Sequence, residues 1–459
     1  MKSYDVIVIG SGGGSKITRP AANLGLKVAI IEDGHLGGTC LNHGCIPSKM
    51  LIHAADVAQI IAESEKFELS PASVPRVRFA DLVNRVTKTI TADSESIGPV
   101  YAEHPNIDLY RGRAAFSGDK TVVVGNTELT ADKIFVVAGS RPRVPEIEGL
   151  DKTPYLTYKE ALRLTMQPKK MIIIGGGFIA VELGHFFGAL GTEVVFVCRS
   201  QLLRGYDADL QEGISTALKR KYKIHEGSST DSVAYASDQF SVVLTGKNGK
   251  ETVSADQLLV AVGTVPNSDR LQIHETSIQC DASGYIKVDK FLETSVPGVW
   301  AFGDILGRYQ FRHTANYEGE YAFKSVLGDG PKKPLVYPPI PSAVFSNPQI
   351  GTVGQSEIDL KASGTPYVIG KNQYKDSAMG MALLPDQGFV KVLYDAGSRK
   401  LVGGQVLGEE AATMVHVLIA YLKMGATVDD MADTIYIHPA LPENIRNAVR
   451  KALEAFDSL

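Results

Sequence analysis

The sequence predicts an α/β protein with two dinucleotide-binding folds, followed by a third unit of strands and helices. Three observations carry that expectation. Tyr4 to Ile9 is a β-branched run of the kind buried parallel strands show, and it ends in Gly10-Ser11-Gly12-Gly13-Gly14-Ser15. The same order returns at Met171 to Ile174, followed by Gly175-Gly176-Gly177-Phe178-Ile179-Ala180. A proline cluster from Pro331 to Pro341 then marks a linker, and a different pattern begins after it.

Composition sets the bounds. A chain of 459 residues holds about three domains at roughly 100–200 residues each. The net charge of -4, with no lysine or arginine block, disfavours nucleic acid as a partner. No apolar stretch approaches the ~20 residues that span a bilayer, so no membrane partner is expected. The opening MKSYDVIVIG has neither an apolar export core nor a cleavage site, which predicts a cytoplasmic protein.

In chain order, the first glycine turn lets the backbone bend sharply into a helix whose N-terminus can hold a pyrophosphate. The strand Val28 to Glu32 follows, and its terminal carboxylate is placed to accept hydrogen bonds from a ribose diol. Ser15 stands where Gly or Ala is usual, which predicts slightly looser helix–strand packing. Residues 50–104 read as surface helices with a break near Ser70-Pro71, and Lys120 to Thr130 reads as a hairpin. Ile134 to Val137 is a buried strand running into the small-residue turn at Gly139. After the second glycine turn, the strand Glu193 to Val197 has no acid at the position corresponding to Glu32; Arg199 and Arg204 lie there instead. Arginines suit a 2′-phosphate through charge-assisted, forked hydrogen bonds, which favours NADPH over NADH. The alternative is that both are solvated or pair with Asp207 or Asp209.

Two of the four cysteines, Cys40 and Cys45, fall in Gly37-Gly38-Thr39-Cys40-Leu41-Asn42-His43-Gly44-Cys45-Ile46-Pro47-Ser48-Lys49, at the expected start of a helix. A helix N-terminus lowers a thiol pKa, so a reversible disulfide is favoured. Half a zinc site would need two more ligands nearby, and Cys198 and Cys280 are isolated. A structural disulfide does not suit a cytoplasmic chain.

The GGTCxNxGCxPSK stretch resembles the redox signature of the class I pyridine nucleotide-disulfide oxidoreductases, which include dihydrolipoamide dehydrogenase, glutathione reductase and mycothione reductase. Matching segments run from residue 4 to the last helix. The resemblance implies FAD at the first dinucleotide fold (1–150 with 266–335), NAD(P)H at the second (151–265) and a two-fold dimerisation unit at 336–459. It implies FAD contacts from Gly10, Gly12, Glu32, Ala114, Gly139, Asp304 and Ala315. Asp304 ends the segment Thr294 to Asp304, and Ala315 lies in a turn, His313 to Asn316. Lys49 and Glu182 would pair beside the flavin, where a cation stabilises the reduced ring. Gly175, Gly177, Ala180 and Gly263 would shape the nicotinamide site. Phe178 would swing over the flavin, or be an ordinary core side chain. Gly263 is followed by Thr264-Val265, where relatives have an arginine, so no charge is expected from that loop.

His438, with Glu443 five residues on across a proline-rich turn, resembles the family's general base and its orienting carboxylate. The implied activity is NADPH-linked reduction of a small disulfide in a homodimer, nearest in wording to mycothione reductase. The alternatives are dihydrolipoamide dehydrogenase and, from another class, a flavin- or metal-binding thiol protein without turnover. The lack of a C-terminal cysteine pair disfavours mercuric reductase. His43, where relatives usually have Val, either tunes the thiolate or is simply exposed.

Overall fold

The computed structural model describes residues 1–70 and 76–458. The first sheet is built on the ten-residue strand Thr127–Val136. Lys2–Ile9 lies parallel to one edge of it, in register from Lys2↔Leu129 to Ile9↔Val136, and Val299–Ala301 pairs in parallel as well. Outward from Lys2–Ile9 come Val28–Glu32 and then Ile107–Arg111, both parallel. Strands Thr121–Val124 and Ala114–Gly118 continue antiparallel on the other side. Val6, Ile7, Val8, Ile30 and Phe135 are fully buried, as β-branched and aromatic residues on a sheet covered on both faces should be.

The second unit repeats the plan. Strands Lys223–Glu226, Glu193–Cys198, Lys170–Ile174 and Gln257–Val260 form a parallel sheet in that order. Beside it stands a three-stranded antiparallel sheet spanning 229–255. The third unit is a five-stranded antiparallel sheet ordered Ser342–Val344, Gln349–Gly354, Leu401–Gly408, Phe389–Asp395, Tyr367–Gln373. Helices Ala411–Met424 and Glu443–Asp457 cover it. The last helix buries Ile445, Ala448, Val449 and Ala452, one stripe at helical spacing.

One local expectation changes. His313 to Asn316 is no turn but the first turn of the helix Arg312–Leu327. The expected break near Ser70-Pro71 reaches residues outside the described ones. Ser15 Oγ donates to Gly12 O at 2.9 Å. The tight approach falls at Gly14, where a Cβ would stand 2.1 Å from Gly10 O.

Candidate active site

Gly10 and Gly175 end the first strands of the two dinucleotide folds in the same way. Both have positive φ, and a Cβ would meet Val137 O at 2.4 Å or Ala261 O at 2.2 Å. Only glycine allows the neighbouring strand so close. The first turn lines a cavity of about 530 Å³, within the usual size of ligand sites. Glu32, Ala114, Gly10, Gly12, Cys40, Cys45, Lys49, Phe178, Glu182, Asp304 and Ala315 all line it. Glu32 accepts from Ser11 N (2.9 Å), Ser11 Oγ (2.6 Å) and Gly34 N (2.9 Å), which fixes its carboxylate on the wall. A Cβ at Gly38 would stand 2.6 Å from Gly12 Cα, so the cradle admits no side chain there. Gly139 also lines the cavity. Both Gly139 and Gly263 have positive φ and open space where a Cβ would be. The short strands after them, Ser140–Pro142 and Thr264–Pro266, pair antiparallel and tie the first two units together.

Cys45 is the first residue of the helix Cys45–Ala62, as the sequence predicts for the pair. Cys40 lies in the preceding one-turn helix Gly38–Asn42. Cys40 and Cys45 are both free cysteines, and a hydrogen bond between their side chains is the largest influence on the acidity of each. That hydrogen bond first, and the Lys49 cation after it, bring the Cys45 thiol down to about 7 against the opposing effect of burial, while Cys40 is pushed up. Of the two, Cys45 is the more acidic thiol. In the reduced protein, the Cys45 thiolate signal should grow as pH rises through about 7. Cys40→Ala removes the donated bond and should move that midpoint upward, read by ultraviolet thiolate absorbance. A midpoint that stays or falls would contradict the assignment.

The Cys45 helix packs against the helix Phe178–Ala189. Two pairs pin them: Lys49 Nζ to Glu182 Oε2 at 2.7 Å, and Asp56 Oδ1 to His185 Nε2 at 2.7 Å. Glu182 is buried and also accepts from Phe345 N at 3.0 Å. Lys49 Nζ lies 4.5 Å from the Phe345 ring centroid. Phe178 is 42% exposed at the helix start, so it is no core side chain. Ala180 on the same helix is fully buried, and a Cβ at Gly177 would meet open space.

Arg199 and Arg204 are exposed, and among the described residues neither forms a salt bridge. Asp207 and Asp209 pair instead with Lys391 and Lys371. The arginine loop touches the second glycine turn through Leu203 N, which donates to Gly176 O at 2.7 Å.

His438 is absent from the cavity lining of its own chain. Its side chain is 68% exposed, and Nδ1 lies 3.0 and 3.1 Å from the two Glu443 oxygens. Glu443 is buried and also takes Ala440 N at 3.1 Å and Arg446 at 2.9 Å. The His438 hydrogen bond, above all, holds the Glu443 carboxyl below its ordinary range. Ile435 and Ile437, just before His438, are 97% and 80% exposed.

Two further residues here, Arg312 and Glu318, carried no signal in the sequence. Arg312 lines the cavity, and its charge opposes the upward push on Cys40. Asp304 accepts from Ser140 Oγ at 2.9 Å, and burial raises its pKa. Behind it, buried Glu318 accepts Gly303 N at 2.7 Å and Tyr337 OH at 2.5 Å. His43 lines the cavity with Nδ1 buried and unpartnered. Burial, then Lys159 and Arg163, lowers it to about 4, so its ring is neutral.

No helix among the described residues is long and apolar enough to cross a membrane. The family described as pyridine nucleotide-disulphide oxidoreductase matches residues 4–319, and its dimerisation domain matches residues 340–449. Mycothione reductase of Mycobacterium tuberculosis is 34% identical over 463 residues, covering 98% of this chain and 99% of that one. Dihydrolipoyl dehydrogenase of Halobacterium salinarum is 34% identical over 468 residues, covering 98% and 96%. The Cu(II) complex of the HOCl-induced flavoprotein disulfide reductase RclA from Escherichia coli superposes with a TM-score of 0.87 at 25% identity, covering 98% and 99%. Both halves of the sequence and the whole of its architecture thus lead to one place: this chain belongs to the pyridine nucleotide-disulphide oxidoreductases, flavoproteins acting on sulfur groups.

Proposed function

We propose that the protein is a homodimer that uses NADPH and FAD to reduce a low-molecular-weight disulfide. The observation that supports it most is that Cys40 and Cys45, with Lys49, line the same cavity as Glu32 and the first glycine turn. Glu32, Gly10, Gly12, Ala114, Gly139, Asp304 and Ala315 would hold FAD, and the glycine cradle that admits no side chain fits it. Held there, FAD would supply the hydride and electron-transfer chemistry that links NADPH to the 40–45 disulfide. Lys49, fixed by Glu182, supplies positive charge beside both Cys45 and the ring. His438 of the second protomer takes the proton of Cys40. The Cys40 thiolate attacks one substrate sulfur, giving a mixed disulfide, and the imidazolium returns the proton to the departing thiolate. The Cys45 thiolate then attacks Cys40 Sγ, closing the 40–45 disulfide and releasing the second product as a thiolate, which takes its proton from water.

Arg199 and Arg204 would hold the 2′-phosphate. Hydrogen bonds to charged groups contribute about 1.5–3 kcal/mol, so NADPH should exceed NADH in kcat/KM by about ten- to hundredfold. A second reading, dihydrolipoyl oxidation with NAD, is favoured by an identity equal to that of the mycothione reductase match. A substrate panel separates them: mycothione, glutathione disulfide and lipoamide, each with NADPH and NADH. Fastest turnover of mycothione or another small disulfide with NADPH is expected. Faster turnover of lipoamide with the non-phosphorylated nucleotide would establish the second reading instead.

A further inference from the structure

Away from the cavity, a buried group of charges joins the second unit to the third. Lys391 stands in the strand Phe389–Asp395 with its side chain 1% exposed. Its Nζ reaches Asp207 Oδ2 at 2.9 Å, Asp209 Oδ1 at 2.8 Å and Glu357 Oε2 at 3.1 Å. Lys371 Nζ donates to the other Asp209 oxygen at 2.8 Å. Asp207, equally buried, also accepts from Glu357 N at 3.0 Å, Ile358 N at 3.3 Å and Gln405 Nε2 at 2.5 Å. All these donors come from the third unit, whereas Asp207 and Asp209 open the second unit's helix Ala208–Lys219. The three carboxylates would suit a cation, but the Lys391 ammonium already satisfies them.

Such a network is a weak source of net stability, because desolvating the charges offsets their attraction. What it can supply is position. The residues just before Asp207 form the arginine loop. Leu203 there has φ 52° and is 2% exposed, and Gly205 has φ 102°. A leucine in the left-handed region persists only where its surroundings over-determine it. Leu203 N is held by Gly176 O, and Tyr206 N by Leu203 O at 3.1 Å. Arg204 sits between the two left-handed residues with its side chain exposed. The loop is therefore fixed at one end by the nucleotide-binding turn and at the other by the buried charges.

We propose that the Lys391–Asp207 network is a positioning device for nucleotide preference, through which the third unit holds Arg204 in place for the 2′-phosphate. The inference rests on the reading of Arg199 and Arg204 given above, and the test separates the two. NADP⁺ and NAD⁺ are titrated calorimetrically into the oxidised holoenzyme and into Arg199→Ala, Arg204→Ala, Lys391→Met, Asp207→Asn and the double variant Arg204→Ala/Asp207→Asn. Lys391→Met and Asp207→Asn should each weaken NADP⁺ about tenfold and NAD⁺ by less than about twofold. The double variant should bind NADP⁺ no more weakly than Arg204→Ala alone, because one effect acts through the other. Equal weakening of both nucleotides, or full additivity, overturns the positioning role and leaves the arginine reading intact. An unchanged nucleotide ratio in Arg199→Ala and Arg204→Ala overturns both. If the buried variants do not fold, Asp209→Asn at the half-buried rim should shift the ratio the same way by about threefold. No shift there refutes the proposal.

Discussion

Cys40→Ser should lower disulfide reduction by at least about 10³-fold, because a serine hydroxyl cannot serve as the attacking sulfur or form the mixed disulfide. The loss should be confined to one half-reaction. Cys45 and Lys49 remain, so NADPH oxidation by the bound flavin should proceed in stopped-flow absorbance, and a long-wavelength band from the Cys45 thiolate should persist. The reciprocal variant, Cys45→Ser, should lose that band. A Cys40→Ser enzyme that still turns over small disulfides would remove Cys40 from the attacking role. One that loses the long-wavelength band, while Cys45→Ser keeps it, would mean that the two sulfurs have been assigned in the wrong order.

His438→Gln should lower kcat by about 10²–10⁴, the usual contribution of a general acid–base. The more informative result comes from mixing. His438 lies outside its own cavity and beside two exposed isoleucines, so it should serve the partner's sulfurs. Co-expressing Cys40→Ser and His438→Gln chains then yields heterodimers with one intact site, formed by the wild-type cysteines of one chain and the wild-type imidazole of the other. Purified heterodimer should recover about half the activity of the wild-type dimer, since one of its two sites is whole. If the imidazole served its own chain, both sites would stay impaired and no recovery would appear.

The parts of this molecule that sequence exposes are those whose cause is local. The strand at Tyr4–Ile9, the glycine that only tolerates a neighbouring carbonyl, and Glu32 one strand later all follow from period and spacing. The cysteine pair at a helix start is equally local. The helix beginning at Arg312 was hidden because Phe311 supplies no side-chain cap, so the chain there offers no start signal. Lys391 gives no hint either: a lysine in a strand reads as an edge or surface residue until tertiary structure brings three carboxylates to it. Glu318 and Arg312 are likewise ordinary letters in a helix, and only the fold places one behind Gly303 and the other on the cavity wall.

The two helices that start at Cys45 and Phe178 are fastened at Lys49–Glu182 and again at Asp56–His185. A bar joined twice cannot pivot about a single bolt, so a push on one helix reaches the other. A ligand at the Phe178 end that moved this pair of helices would shift Lys49, whose charge acts on the Cys45 thiol, and such linkage would run equally in both directions. If the nicotinamide binds there, as proposed above, its occupancy would be sensed as acidity on the sulfur side.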